Sequence, residues 1–296
     1  MASKLKVALC QMLVTKVKQD NIAKATQLIN TAKSNGAGMV VLPECFNCPY
    51  GTKYFKEYSE KIGFNVTASS TSAAAEEDAG KNSTVEELTT EGKSPTVVAM
   101  RTLAKENGIW LVAGSIPEVD TTDGKIYNSS MLIGPDGDVK NVHRKVHLFK
   151  INTETVKFDE SEVLTGGSTT KAVELGSTGV NLGVGICFDV RYPQLALSYR
   201  QQGTNMLVYP GAFNMVTGPK HWTLCAQSRA LDAQQYCLMC SPARDTSAEY
   251  VAYGHSIIVD PFGDIVGELD ENEGILYADL DVAATVDATR QKLPIA

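Results

Sequence analysis

Short apolar runs alternate with helical repeats of apolar residues along most of this chain, and that alternation restricts it to the α/β class of folds. Strands are predicted at 7–11, 39–42, 109–113, 180–186, 206–209, 236–240 and 275–280, and helices at 21–35, 96–107, 193–202 and 220–234. The first helix should have its N-cap at Asp20 and stop at Gly36. Two Pro-x-Gly-Asp turns, at 135–138 and 261–264, predict hairpins, so the sheets should be mixed.

Residues 65–95 break this pattern. The segment holds one Leu and two Val but no Ile, Met or aromatic residue, and it is rich in Ser, Thr, Ala, Glu and Gly. Such a composition cannot bury enough apolar surface to offset the entropy lost on ordering, so we predict a low-complexity surface insertion. Ser83 and Glu86 have capping-box spacing, which allows one short helical turn within it.

The charge balance and the apolar runs exclude several kinds of partner. Lys and Arg number 27 against 34 Asp and Glu, and the net charge of −7 argues against nucleic acid or an anionic membrane. No apolar run approaches the ~20 residues of a membrane span, and the stretch at 7–10 is too short for a signal-peptide core. We therefore predict a cytoplasmic protein and leave a mitochondrial pool open. A chain of 296 residues makes one large domain or two small ones, and its seven cysteines are not needed as disulfides.

Three residues are candidates for chemistry, each with a plain structural alternative. Cys187 lies at the end of an apolar strand that contains glycines, just before a helix, and such a corner can expose a nucleophile. The alternative is an ordinary buried cysteine, which is common. Glu44 follows a buried strand and Pro43, where burying a carboxylate costs free energy unless it has a partner. The alternative is that it is an ordinary acidic residue of a loop. Lys145 lies in a basic run that could be a solvated face. Together they make a coherent amidase set of nucleophile, proton carrier and oxyanion stabiliser, in which the cation also favours the thiolate.

Metal and cofactor sites are not indicated by the sequence. His143 and His147 have i, i+4 spacing, but the flanking pattern is extended and no carboxylate lies between them. The two Cys-x-x-Cys pairs, at 45/48 and 237/240, are far apart, and strand alternation sends the second pair's sulfurs to opposite faces. No glycine-rich phosphate loop or dinucleotide fingerprint is present. We expect neither a metal nor an organic cofactor.

The chain resembles the nitrilase superfamily of carbon-nitrogen hydrolases, and within it the ω-amidase branch. The similarity spans about residues 6–293, and its motifs lie at 42–47, 49–52, 143–149, 185–193, 209–214, 217–222, 228–230, 241–245 and 254–256. Two segments depart from the family pattern. The insertion at 65–95 is longer than the family's loop, and the segment at 150–157 lacks the usual acidic and Pro-Gly residues and is about one residue short.

The resemblance implies an α-β-β-α sandwich with mixed sheets, formed by one carbon-nitrogen hydrolase domain over residues 1–296. It implies Glu44 as general base, Lys145 as oxyanion stabiliser and Cys187 as nucleophile. A second family glutamate matches Glu160, which would orient Lys145 or help position the base, and the peptide N–H of Phe188 would be the second oxyanion donor. A homodimer or higher homo-oligomer is also implied.

The implied substrate is a small ω-amide of a 2-oxo dicarboxylic acid, 2-oxoglutaramate or 2-oxosuccinamate. Arginine is the natural partner of its carboxylate, and Arg191 and Arg244 are the candidates. The alternative for each is a structural ion pair, such as Arg191 with Asp189. Phe213 and Tyr50 line the pocket in this interpretation, or are simply core residues. Two other functions stay open: a deaminated-glutathione amidase with the same triad, and a non-catalytic binding protein.

Overall fold

Two β-sheets lie face to face between two layers of helices in the computed structural model, which describes residues 4–64, 94–154 and 157–295. The helices, in chain order, are α1 (Lys18–Ser34), α2 (Thr52–Tyr58), α3 (Pro95–Asn107), α4 (Pro193–Gln201), α5 (Gly218–Ala233) and α6 (Val282–Lys292). The strands are β1 (Leu5–Gln11), β2 (Met39–Val41), β3 (Trp110–Val112), β4 (Ile116–Val119), β5 (Ile126–Ile133), β6 (Val139–Arg144), β7 (Lys150–Asn152), β8 (Lys157–Asp159), β9 (Val173–Glu174), β10 (Asn181–Val184), β11 (Met206–Pro210), β12 (Tyr236–Cys240), β13 (Ile257–Val259), β14 (Ile265–Glu268) and β15 (Gly274–Leu280).

Both large sheets are mixed, as predicted. The first has the order β15-β1-β2-β3-β5-β4, with β6 paired to β5, and its parallel core is β1, β2 and β3. The second has the order β14-β13-β12-β11-β10-β9, with β10, β11 and β12 parallel. The antiparallel strands at the margins include the two predicted hairpins, β5–β6 and β13–β14. Strands β7 and β8 form a separate two-stranded sheet.

The side-chain alternation of the central strands produces three apolar layers. In β1, Ala8 packs towards α1 and α3, whereas Leu9 packs between the two sheets. In β11, Val208 joins Leu9 in the inter-sheet layer, and Leu207 packs against α4 and α5 on the far side. Since each sheet is apolar on both faces, each needs a helical layer on one side and the other sheet on the other. This arrangement confirms the α-β-β-α prediction.

Several local predictions are wrong or untested. Helix α1 begins at Lys18 with Val17 at the N-cap, because Asn21 and Thr15 exchange two hydrogen bonds of 2.8 Å that fix the chain before Asp20. The periodicity analysis missed α2, α6 and β4, which are short or weakly amphipathic. The predicted insertion lies outside the described residues, except for Ser94, the N-cap of α3, and Pro95, the first residue of that helix. Among the described helices, none is long and apolar enough to cross a membrane.

A buried carboxylate holds the start of α3 to the first sheet. Glu60 is fully buried and accepts the N–H groups of Thr96 and Val97, at 2.9 and 3.2 Å, in the first turn of that helix. Its Oε1 lies 2.9 Å from Nζ of Lys18. The negative charge therefore meets a helix N-terminus and an ammonium group, which compensates for its burial.

We expect Glu60→Gln to lower the free energy of unfolding by about 3 kcal/mol, because the Lys18 ammonium and the helix terminus lose the charge that compensates them. Urea unfolding followed by circular dichroism measures the change. Lys125→Ala is the control, since Lys125 is more than half exposed in its pair with Asp123, and we expect no shift of its midpoint. Equal losses in the two variants would contradict the special role of Glu60.

Candidate active site

Lys145 follows strand β6 at the end of the inter-sheet layer. In β5, the face that carries Leu132 into this layer also carries Asn128, four residues earlier. The N–H of Lys145 donates to the carbonyl of Asn128 at 2.8 Å, and its carbonyl accepts the N–H of Gly167 at 2.8 Å. These bonds fix the backbone on both sides, and the side chain of Lys145 is fully buried.

The loop that carries Glu44 is clamped by the turn after β3. Ser115 accepts the N–H of Cys45 on its hydroxyl at 3.0 Å and donates its own N–H to the carbonyl of Pro43 at 3.2 Å. Gly114 has φ of 49°, and a Cβ there would lie 2.1 Å from the Pro43 carbonyl oxygen. Cys45 also has positive φ, 50°. The close approach of the two loops therefore requires glycine and aims Glu44 inward.

Cys187 occupies a strained corner between β10 and a short 3-10 helix. Its φ is 46°, an uncommon value for a residue with a side chain. Asp189 holds the corner: its carboxylate accepts the N–H groups of Ile186 and His147 and contacts the imidazoles of His143 and His147 at 2.9 and 2.7 Å. The pKa of Asp189 lies well below its usual range, since these hydrogen bonds outweigh burial. The two histidines with i, i+4 spacing thus both contact this carboxylate. The alternative in which Asp189 forms an ion pair with Arg191 is therefore wrong.

Lys145 joins two buried carboxylates. Its Nζ lies 2.9 Å from Oε1 of Glu44 and 2.9 Å from Oε1 of Glu160. Glu160 also accepts the hydroxyl of Tyr50 on Oε1 and the N–H of Phe149 on Oε2, both at 2.6 Å. The altered segment at 150–157 therefore does not prevent Glu160 from reaching Lys145. Both oxygens of Glu160 are engaged, which leaves it poorly placed to exchange protons.

Glu44 is also held from the opposite side. Asn128 donates from Nδ2 to Oε1 at 2.9 Å, and the N–H of Ala212 donates to Oε2 at 2.9 Å. The charge of this carboxylate also reaches the Cys187 thiol, whose pKa it raises. Glu44 and Lys145 therefore form one hydrogen-bonded network, and the candidate nucleophile Cys187 lies beside it.

The electrostatics of the network favour a neutral thiol at rest. Burial raises the pKa of Glu44 against the opposing charge of Lys145, and the charge of Glu160 adds to the increase. Burial and Glu44 likewise raise the pKa of the Cys187 thiol well above its usual range, and they outweigh Lys145, which lowers it. Burial works against the charge of Lys145, but the two carboxylates hold its pKa well above normal. Lys145 favours the thiolate as expected, but burial and Glu44 outweigh it, so a base must act as sulfur attacks.

A small cavity of about 10 Å³ lies at Cys187, and three of the other predicted residues line it. They are Phe188, Arg191 and Phe213. The guanidinium of Arg191 stacks 4.8 Å from the ring centre of Phe213 and contacts Nδ1 of His221 at 3.2 Å. Its buried Nε has no hydrogen-bond partner in the part of the chain that the structure describes. The peptide N–H of Phe188 lies in the first turn of the 3-10 helix, where the helix supplies no acceptor. Arg191 thus has donor capacity beside the cysteine.

The structure does not bring Arg244 to this cavity. Its guanidinium donates to the carbonyl of Tyr253 at 2.8 Å and faces the carboxylate of Glu271 at 3.8 Å. This is the structural ion pair that the sequence left as the alternative. Tyr50 lines a second, larger chamber of about 440 Å³, which also reaches Glu44.

The Cys-x-x-Cys pairs have separate places. Cys237 packs against α4 and α5, and Cys240 packs between the sheets, which confirms that alternation separates their sulfurs. Cys45 and Cys48 line the larger chamber. Within the described ranges, no three His, Cys, Asp or Glu side chains converge in a metal-binding arrangement.

Sequence analysis missed three groups of this site. They are Asn128, the backbone of Ala212 and Tyr250, which lines both cavities. The pairing of β5 with β6 could have indicated Asn128, since Ser129 pairs with Arg144 at the end of β6 and Asn128 therefore comes next to Lys145. A backbone donor such as that of Ala212 leaves no side-chain signal.

Comparison with known proteins gives one consistent result. The profile of the carbon-nitrogen hydrolase family matches residues 6–291. The chain is 42% identical to the ω-amidase NIT2 of Danio rerio over 294 residues, which are 99% of this chain and 94% of that protein. It is 40% identical to the ω-amidase NIT2 of Homo sapiens over 291 residues, 98% and 93% of the two chains. Nit3 of Saccharomyces cerevisiae, a member of branch 10 of the nitrilase superfamily, superposes with a TM-score of 0.81 at 38% identity and covers 99% of this chain and 96% of its own.

Proposed function

The chain belongs to the carbon-nitrogen hydrolase family, and on that premise we propose that it is an ω-amidase. Its substrates in this proposal are 2-oxoglutaramate and 2-oxosuccinamate, whose terminal amide is hydrolysed to a carboxylate and ammonia. The observation that carries the proposal is the buried pair of Glu44 and Lys145 beside Cys187, with Arg191 in the same cavity as the cysteine. The relatives named ω-amidase, at 40 to 42% identity, support the substrate class.

In the first half of the reaction, Glu44 removes the Cys187 proton while sulfur bonds to the amide carbon. The electron pair of the carbonyl moves to oxygen, and a tetrahedral oxyanion forms. Protonated Glu44 then returns the proton to the nitrogen, the carbon–nitrogen bond breaks, and ammonia leaves a thioester behind. The raised pKa of Glu44 makes it a stronger base for the thiol proton, and the raised pKa of the Cys187 thiol makes such a base necessary.

In the second half, water attacks the thioester. Glu44 takes a proton from the water as its oxygen bonds to the acyl carbon. The second tetrahedral intermediate collapses, sulfur leaves, and the proton on Glu44 returns to Cys187. The products are the dicarboxylate and the regenerated thiol, and one carboxylate has acted in both halves.

Two donors serve the oxyanion in both halves. An ammonium group has three N–H donors, and Lys145 uses two on Glu44 and Glu160, so the third is available for the substrate oxygen. The second donor is the peptide N–H of Phe188. Glu160 is a positioning residue for Lys145, since its oxygens are engaged by Lys145, Tyr50 and Phe149.

The far carboxylate of the substrate binds Arg191 in this proposal. The guanidinium has an unpartnered buried Nε and lies against Phe213, which would cover the methylene groups of the substrate. Arg244 has no such role, because it is paired elsewhere. We further propose one catalytic domain over residues 1–296, a cytoplasmic location and a homodimer or higher homo-oligomer. The family match over 6–291 supports the single domain. Exposed apolar side chains on α4 and α5, among them Leu197 and Leu224, support the oligomer.

An ammonia-release assay on a panel of amides tests the function. We expect kcat/KM for 2-oxosuccinamate to exceed that for glutamine, deaminated glutathione and a simple aliphatic nitrile by at least about tenfold. A preference of about tenfold for deaminated glutathione would favour the sister amidase instead. No ammonia from any substrate would favour a binding protein, and best turnover of the nitrile would keep the family but change the reaction.

A further inference from the structure

Tyr250 stands at the boundary between the two cavities of the site. Together with Ala212, it lines both the cavity of about 10 Å³ at Cys187 and the chamber of about 440 Å³ at Glu44. We propose that Tyr250 is a specificity-determining residue that confines the enzyme to unsubstituted amides by limiting the space around the leaving nitrogen. This inference rests on the proposed ω-amidase function.

The leaving group must point towards the larger chamber. Glu44 delivers the proton to the departing nitrogen, and Glu44 lines that chamber. The acyl chain extends the other way, towards Arg191, and it must widen the cavity at Cys187, which has room for about one water molecule. A substituent on the amide nitrogen would therefore cross the boundary at Tyr250, whereas ammonia and water are small enough to pass.

The aromatic ring at this boundary is held on several sides. The hydroxyl of Tyr250 donates to the carbonyl of Ala212, whose N–H binds Oε2 of Glu44. The ring centre lies 4.4 Å from that of Tyr50 and 6.4 Å from that of Phe158. Burial keeps the pKa of the Tyr250 hydroxyl well above its usual range, so it remains a donor. Displacing the ring would break this packing and disturb the peptide that holds the base.

The test compares 2-oxosuccinamate with its N-benzyl derivative, which both yield 2-oxosuccinate, with ammonia or benzylamine as the second product. An NADH-coupled assay for 2-oxosuccinate measures kcat/KM for both substrates in the same way. We expect Tyr250→Ala to raise the ratio of N-benzyl to primary amide hydrolysis by at least about tenfold, because the two cavities become continuous. Tyr250→Phe keeps the ring and should leave the ratio within about threefold of wild type.

The control is Tyr54→Ala, which removes a tyrosine that lines the larger chamber but not the small cavity as the described residues form it, and it should not change the ratio. If Tyr250→Ala turns over neither substrate, calorimetric binding in the Cys187→Ala background measures the same preference: the ratio of dissociation constants should shift about tenfold towards the N-benzyl amide. An unchanged ratio in both measurements overturns the inference while primary amide hydrolysis stands. A wild-type protein inactive on every primary ω-amide instead overturns the proposed function.

Discussion

Replacing Cys187 by Ala is expected to lower ω-amide turnover by about four orders of magnitude or more, because the acyl bond can no longer form. The fold should persist, since only one buried sulfur is lost and the corner is held by Asp189 through two backbone N–H groups and two imidazoles. Steady-state ammonia release measures the first effect. Urea unfolding and circular dichroism measure the second.

Cys48→Ala is the matched control for this substitution. Cys48 is as buried as the proposed nucleophile and lines the chamber next to Glu44, yet it has no part in the mechanism. Its activity should stay within about tenfold of wild type. Acid quenching during turnover followed by mass spectrometry should find the acyl adduct on Cys187 in both the wild type and the control. An adduct on any other cysteine would contradict the assignment.

The pattern of strands could be predicted because it depends on local alternation. The sequence placed β12 at its observed bounds, Tyr236–Cys240, and both hairpins at their turns. The predicted start of a helix was less accurate where side-chain hydrogen bonds outside the helical repeat determine it. Asp20 is a good N-cap by composition, but the bonds between Asn21 and Thr15 place the start earlier.

The residues alone suggested Glu44, Lys145 and Cys187 as a candidate amidase set, and the resemblance gave each of them a specific role. Glu44, Lys145 and Cys187 are far apart in sequence, and each has an ordinary structural alternative. Their convergence depends on two loops and a strand end that meet at one edge of the inter-sheet layer. No local pattern encodes that meeting.

The ion pair suggested for Asp189 was wrong because it was chosen by proximity in sequence. Asp189 lies two positions from Arg191, yet its partners are His143 and His147, 46 and 42 positions away. The strained turn at Cys187 directs the Asp189 carboxylate back beneath the backbone of Ile186, where β6 and the loop after it supply the imidazoles. Arg191 is left to face the cavity.

That exposure of Arg191 to the cavity gives the second large effect. Arg191→Ala should raise KM for 2-oxosuccinamate by about 100-fold, since the loss of a charge-assisted contact to the substrate carboxylate is worth roughly 3 kcal/mol. The kcat value should change by less than about threefold, because this contact is equally strong in the ground and transition states. Initial rates over a range of substrate concentrations measure both values.

Propionamide and Arg244→Ala are the controls. Propionamide has no carboxylate, so its kcat/KM should be nearly the same in wild type and Arg191→Ala. Arg244 is paired with Tyr253 and Glu271, so its substitution should leave KM for 2-oxosuccinamate unchanged. If Arg244→Ala raises KM and Arg191→Ala does not, the assignment of the carboxylate contact is reversed.

Glutamine adds a test of the same contact from the substrate side. Its α-ammonium would occupy the position of the 2-oxo group, near the guanidinium of Arg191, and among the described residues no acidic side chain lines the small cavity to accept it. Burying that cation without a partner costs several kcal/mol, so glutamine should be slower than the oxo-acid amide by at least about 100-fold in kcat/KM. Arg191→Ala removes the like charge, and it should therefore reduce the discrimination against glutamine. Discrimination that is the same in both proteins would place the substrate's far end away from Arg191.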